Sequence, residues 1–347
     1  MSWIKLNLFY LHENIFMKVA IGIDIGGTNT KIVIADEKGN VLADQQNPTP
    51  SASAEGTATI DDLLVKGLQD FLDSDRAKAI VASTSEVSGI GIGVAGLLDR
   101  KKGIVMQSPN IPAINGLPLR EKFEKEFSLP VVIENDANIY AYGEKWVGAG
   151  KDFDNFVLLT LGTGLGGGLV YKGELYEGPV EIGHMTIVPS GRYCTCGSYG
   201  CLESYASGRA ILDKAISSLE KGTDSLLAKC CEGNFYKITP EVIFKTALDG
   251  DTLSREVFRE VGQFLGIGIA NLINILSLDA VIIGGGLIGA WDMFITELKR
   301  EVTKRAFKPL STNVQIMKSS MTKDAGSVGA AGFLFKKISA SPVSLSS

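Results

Sequence analysis

The sequence predicts an α/β protein built as two similar lobes, and three observations carry that prediction. The chain has 347 residues, more than one ordinary core fills, so two domains are expected. A strand, a glycine turn and a second strand occur twice, with the turns beginning at Gly26 and Gly162, 136 positions apart. This internal repeat implies two units of common design. Elsewhere, strand-like runs alternate with helical ones, which is the pattern of helices layered on sheets.

The elements follow in chain order. Val19 to Asp36 reads as strand, glycine turn, strand, with alternating apolar positions and many β-branched residues. Gly89–Gly96 and Leu129–Asn138 each read as a buried strand ending in a polar loop, and "LREKFEKEF" between them reads as a helix. Phe156 to Gly178 repeats the opening hairpin. "SREVFREVGQFLGIGIANLINILS" is helical and sets Gly262, Gly266 and Ala270 four apart, a small-residue ridge for close packing. "DAVIIGGG" gives a strand and a glycine loop. "AGSVGAAGFLFKKI" gives a last helix, with a loose polar tail expected from Ser339.

Composition excludes several classes. With 45% hydrophobic and 21% charged residues the chain is of the soluble globular type. A net charge of −5 argues against a surface that coats nucleic acid. Gly266–Trp291 carries only Asp279 as a charge. Asn271, Asn274 and the Gly284–Gly286 triplet interrupt it, so it reads as helix then buried strand instead of a bilayer span. The apolar run in Met1–Phe16 is short, broken by His12 and Glu13, and lacks a small-residue cleavage site, so it reads as an extension before a domain that starts at Met17. Five cysteines is an odd number, and Cys-Thr-Cys suits no local disulfide framework. A reducing, cytoplasmic setting is expected, with Cys230 and Cys231 as ordinary thiols.

Three constellations carry chemistry. Gly26-Gly27-Thr28 with Asp24 forms a turn whose backbone N–H groups can cradle an anion, and Gly162-Thr163-Gly164 is its second copy. A strand follows each turn and no "GKS/T" is present, so neither is a Walker loop. Either turn alone could be a plain hairpin. As a pair they can clamp the two ends of a triphosphate, with Asp24 holding Mg²⁺ through water. Asp136 in "ENDAN" ends an apolar strand, where it is either an ordinary turn residue or a catalytic carboxylate at a sheet's ligand-binding edge.

The third is "EIGHMTIVPSGRYCTCGSYGCLE", Glu181 to Glu203. His184, Cys194, Cys196 and Cys201 are four ligands of the kinds tetrahedral Zn²⁺ prefers, the alternatives being a redox pair, or buried cysteines with a coincidental His. Four protein ligands close the site, so the zinc is structural. Glu181 and Glu203 flank the loop and can grip neighbouring hydroxyls of a polyol, or else serve as surface charge or a helix-start Glu.

Taken together, "DIGGTNTK", "ENDAN", "LGTGLGGG", "EIGH", "CTCGSYGCLES" and "IIGGG" resemble the ROK family (repressors, open reading frames and kinases) from about Met17 to near Lys337. The resemblance implies the two-lobed actin/hexokinase-like (ribonuclease H-like) fold, each lobe a mixed sheet flanked by helices. It implies lobes at 17–133, completed by a C-terminal helix at 323–338, and at 134–322 with the zinc loop, after a 1–16 extension. It also implies transfer of phosphate from ATP to the 6-hydroxyl of a hexose or N-acylhexosamine, by a chain that is often a homodimer.

Matched by motif, Asp136 is the general base, and Asn110, Asn135, Glu181, His184 and Glu203 contact sugar. His184 is shared with zinc. Asp24, Gly27, Thr28, Gly162, Thr163, Gly164 and Gly285 fall on the ATP and Mg²⁺ side. Pro179-Val180 stands where family glucokinases usually carry small residues, and "AGLLD" lacks the Gly-Arg pair of some N-acylmannosamine kinases. The latter tilts the expected sugar towards glucose, with N-acylhexosamine kinase and fructokinase as alternatives. Family repressors carry a DNA-binding module before the core, and Met1–Phe16 is too short and insufficiently basic for one.

Overall fold

The computed structural model describes residues 17–50, 59–321 and 324–340. The 1–16 extension and the tail beyond Ala340 lie outside them. Contacts divide the chain into two units. The first comprises residues 1–152, 175–179 and 320–347, and the second comprises 153–174 and 180–319.

In the first unit, β1 (Lys18–Ile25), β2 (Asn29–Asp36) and β3 (Val41–Pro48) form an antiparallel meander. Helices α1 (Ile60–Leu72) and α2 (Asp75–Ser83) lead to β4 (Glu86–Val94). A short hairpin, β5 (Leu97–Asp99) with β6 (Ile104–Gln107), precedes α3 (Leu119–Phe127), β7 (Val131–Asn135) and α4 (Asp136–Trp146). The sheet order is β3-β2-β1-β4-β7, with β4 parallel to both β1 and β7. Apolar residues run almost unbroken through β1 and β4 because helices cover both faces. On one face Ile60, Leu64, Leu68 and Phe71 of α1 and Phe123 of α3 are buried in the core.

In the second unit, β8 (Phe156–Leu161), β9 (Leu165–Tyr171) and β10 (Glu174–Leu175) precede the cysteine loop. The chain then turns helical through α5 (Glu203–Ala206), α6 (Gly208–Glu220), α7 (Pro240–Leu248) and α8 (Thr252–Leu276). It closes with β11 (Ala280–Gly284), α9 (Trp291–Arg305) and β12 (Gln315–Lys318). The order β10-β9-β8-β11-β12 repeats that of the first sheet, an antiparallel hairpin followed by parallel strands. The two-fold design read from Gly26 and Gly162 is therefore present in the topology. The small-residue ridge also acts as expected. A Cβ on Gly262 would stand 2.3 Å from the Phe294 carbonyl, and one on Gly266 2.7 Å from that of Leu298, so α8 and α9 pack nearly backbone to backbone.

Helix α10 (Ala325–Ala340) returns to the first unit and extends past the Ser339 at which a loose tail was expected. It lies across β1 and β4, where a Cβ on Gly22 would come within 1.9 Å of the Ser327 carbonyl. The first unit reaches Asp152, beyond the expected boundary at 133/134, because α4 packs on α10. Gly143 lies against Ala325 and Gly329, and the Tyr142 and Phe333 rings meet edge to face at 5.6 Å. No helix among the described residues is long and apolar enough to cross a membrane.

Candidate active site and metal centre

In the first unit the chain brings several of the sequence candidates together. Asp24 lies near the C-terminal end of β1, and the turn after it is closed by Gly26 N–H donating to the Asn29 carbonyl at 3.0 Å. Thr49 buttresses that turn, its hydroxyl donating to the Gly26 carbonyl at 2.6 Å and its N–H to the Thr28 carbonyl at 2.9 Å. Gly27 and Thr28 stay exposed, with their backbone open to a ligand. Asn110, which follows β6, touches the turn: a Cβ on Gly27 would meet the Asn110 Cβ at 3.1 Å.

Asn135 ends β7 and caps α4. Its side-chain oxygen accepts from the N–H groups of Ala137 and Asn138 at 3.0 and 3.2 Å, and its amide donates to the Gly96 carbonyl at 3.1 Å. Capping by Asn is the usual way to satisfy a helix's first N–H groups. It fixes Asp136 as the first residue of α4, where the helix dipole favours a carboxylate.

Asp24 and Asp136 sense one another. Burial, and then the Asp136 charge, push Asp24 up to about 7, with Lys31 opposing. Gly326 in the first turn of α10 makes room for the Asp24 carboxylate, since a Cβ there would lie 2.4 Å from its Oδ2. At neutral pH Asp24 is therefore poised between its neutral and charged forms, and a nearby cation would favour the charged one.

In the second unit the Gly162–Gly164 turn is held from two sides. Gly208 N–H donates to the Gly162 carbonyl at 2.8 Å, and Glu203 Oε2 accepts from Leu165 N–H at 2.8 Å. Gly164 leaves room for that carboxylate, since a Cβ there would fall 2.4 Å from Glu203 Oε2 and displace it. Gly285 follows β11 at φ +92°, a conformation glycine adopts readily, and sits against the Leu161 backbone at the end of β8. Glu203 is thus tied to the glycine turn by one oxygen, while Glu181 is exposed.

His184, Cys194, Cys196 and Cys201 offer one ligand atom each, all within 4.8 Å of one another. Cys194 Sγ stands 3.6 Å from His184 Nδ1, and the sulfurs of Cys196 and Cys201 are 3.7 Å apart. Tetrahedral Zn²⁺ with ordinary bond lengths sets S···N at about 3.5 Å and S···S at about 3.8 Å, so this donor set fits the ion. Burial drives the Cys201 thiol up to about 12, with the neighbouring thiols of Cys196 and Cys194 adding to it. At Cys194 burial acts in the same direction, but hydrogen bonds led by the Cys196 N–H bring it down to about 7. A divalent cation would ionise both. Nδ1 faces the sulfurs, and Nε2 points towards Glu181, whose Oε2 is 4.0 Å away. The opposite ring nitrogen is thus left for other contacts. Cys230 and Cys231 join no metal-ligating group among the described residues.

Sequence reasoning did not find Arg100 or Glu134. Glu134 is buried at 1% exposure, and Arg100 bonds both its oxygens. The signal was a carboxylate closing the apolar run "VVIE", a position that demands a cationic or hydrogen-bonding partner.

Comparison with known proteins places these features in a lineage. Residues 20–337 match the ROK family model. A glucokinase of Halalkalibacterium halodurans is 34% identical, the match covering 91% of this chain and 94% of that protein. A xylose repressor of Caldicellulosiruptor bescii is 32% identical over 89% of this chain and 76% of its own length. The crystal structure of a ROK family glucokinase from Streptomyces griseus, in complex with glucose and AMPPNP, superposes with a TM-score of 0.73. It is 33% identical and covers 92% of this chain and 99% of that one.

Proposed function

The chain belongs to the ROK family, and on that premise we propose that it is an ATP-dependent hexose kinase that phosphorylates the 6-hydroxyl of glucose. The observation that carries the kinase reading is the carboxylate pair Asp24 and Asp136. Two acids lie close enough for one charge to raise the other, one at a helix start beside a capping Asn and one beneath an exposed glycine turn. Phosphoryl transfer needs such a division between a base and a cation-binding carboxylate.

In this reading Asp136 takes the proton of the sugar 6-hydroxyl as its oxygen bonds the γ-phosphorus and the bond from that phosphorus to the β-phosphate oxygen breaks, releasing ADP. Asn110, Asn135, Glu181, His184 and Glu203 bind the remaining sugar hydroxyls. The backbone around Gly27, Thr28, Gly162, Thr163, Gly164 and Gly285 binds the nucleotide phosphates, and Asp24 holds Mg²⁺ through water. The group held by His184, Cys194, Cys196 and Cys201 is structural zinc, which keeps His184 and Glu203 on one rigid segment. The chain works as a homodimer in a reducing cytoplasm.

The relation to a xylose repressor supports a second reading, a sugar-binding regulator without turnover. A coupled phosphorylation assay across glucose, mannose, fructose, N-acetylglucosamine and N-acetylmannosamine separates the two. Turnover with glucose as the best substrate is the expected result. Preference for an N-acylhexosamine or fructose would change the substrate, and tight sugar binding with no turnover would favour the regulator.

A further inference from the structure

Glu134 immediately precedes Asn135 and Asp136, yet its side chain enters the core, where it is 1% exposed. Burying a carboxylate there is costly unless it is paired and fully bonded. Arg100, from the turn of the β5–β6 hairpin, supplies the pair. Its Nε lies 2.8 and 2.7 Å from the two Glu134 oxygens, and one terminal nitrogen lies 2.6 Å from Oε1. Oε1 also accepts from Asn135 N–H at 2.8 Å and from the Asn138 side-chain amide at 3.1 Å. Arg100 is itself anchored, its carbonyl accepting from the Arg120 guanidinium.

These bonds surround Asp136 without touching it. Glu134 holds the peptide before Asn135 and the side chain of Asn138. Asn135 then caps α4 and reaches back to Gly96, at the foot of the same hairpin that carries Arg100. The chain leaving that hairpin runs on to Asn110. The end of β7, from which α4 starts, is therefore joined to the β5–β6 hairpin twice, by Arg100–Glu134 in its turn and by Asn135–Gly96 at its foot.

We propose that Arg100 and Glu134 are positioning residues that fix the first turn of α4, and with it the direction of the Asp136 carboxylate, for proton removal from the substrate hydroxyl. The proposal rests on the kinase reading for its kinetic consequence and on geometry alone for its structural one. A base displaced by about 1 Å loses roughly a hundredfold in rate. The loss falls mainly in kcat, because Glu181, His184 and Glu203 are untouched, while Asn135, whose N–H bonds Glu134, adds at most a smaller rise in KM.

The test compares wild type, Arg100→Met, Arg100→Lys and the double variant Arg100→Met/Glu134→Leu in the full chain. Melting temperature, kcat, KM for glucose and amide exchange at Ala137 and Asn138 are measured for each. Arg100→Met strands a buried carboxylate and is expected to lower melting temperature and kcat together. The double variant removes that stranded charge and should recover melting temperature, since apolar replacements of a buried pair are often neutral or better. Its kcat should stay about a hundredfold low with KM little changed. Its Ala137 and Asn138 amides should exchange faster than in wild type, and Arg100→Lys should recover part of kcat. Recovery of kcat along with melting temperature in the double variant would reduce the pair to a stability element and overturn the proposal. So would unchanged exchange at the two amides, or a defect confined to KM. If wild type phosphorylates no sugar, the kinase reading fails by itself, and the exchange measurement still decides whether the pair fixes the α4 start.

Discussion

Replacing Asp24 with asparagine removes one titrating proton from a site where the charged form is disfavoured. Burial is the larger cause and the Asp136 charge the second, and together they raise Asp24 from 3.8 to about 7. The sign follows from linkage. The folded state holds the Asp24 proton more tightly than the unfolded chain, so the charge costs nothing below about pH 4. The cost grows between 4 and 7 and is fully present above 7. A shift of about three units corresponds to about 4 kcal/mol at most, and solvent at the accessible edge of Asp24 reduces the expected penalty to about 1–3 kcal/mol. The asparagine variant escapes that penalty. Without nucleotide or Mg²⁺, its melting temperature should exceed wild type by several degrees at pH 8 and converge with it below about pH 4. Scanning calorimetry on both proteins across that range reads the difference, because groups away from the Asp24–Asp136 pair titrate alike in the two and cancel. An equal gain at both ends, or none at pH 8, would refute the reasoning.

Purified protein should contain about one zinc ion per chain by metal analysis, and Cys196→Ser should lose the metal and weaken glucose binding, since Glu203 lies two residues past Cys201. Zinc-free wild type with unaltered glucose affinity would oppose this. Gly164→Ala should drive the Glu203 carboxylate off Leu165 N–H and weaken binding of both AMPPNP and glucose in calorimetric titrations. A variant binding both as wild type does would show that the contact is incidental.

Much of this was legible because repeated local patterns carry long-range meaning. The apolar runs around Gly26 and Gly162 encoded two hairpins, and with them the matching sheet orders. The cysteine cluster announced its geometry through ligand type and spacing. What stayed hidden depends on tertiary contact. That α4 belongs with the first unit follows from its packing on α10, whose residues lie almost two hundred positions further on. The Arg100–Glu134 pair joins a hairpin turn to a strand end 34 positions away, and no local pattern marks Arg100 as its partner. The raised acid at Asp24 likewise arises from burial in the enclosing fold and then from Asp136, neither of which sits nearby in sequence.

The central claim is that Asp136 is the base of a sugar kinase, and Asp136→Asn assayed beside wild type tests it most directly. The amide keeps the shape of the carboxylate but cannot accept the hydroxyl proton. With glucose and ATP, kcat should fall by about a hundred- to ten-thousandfold while glucose affinity, measured by calorimetry, stays close to wild type. Turnover near the wild-type rate, or a defect seen only as weaker glucose binding, would contradict the assignment.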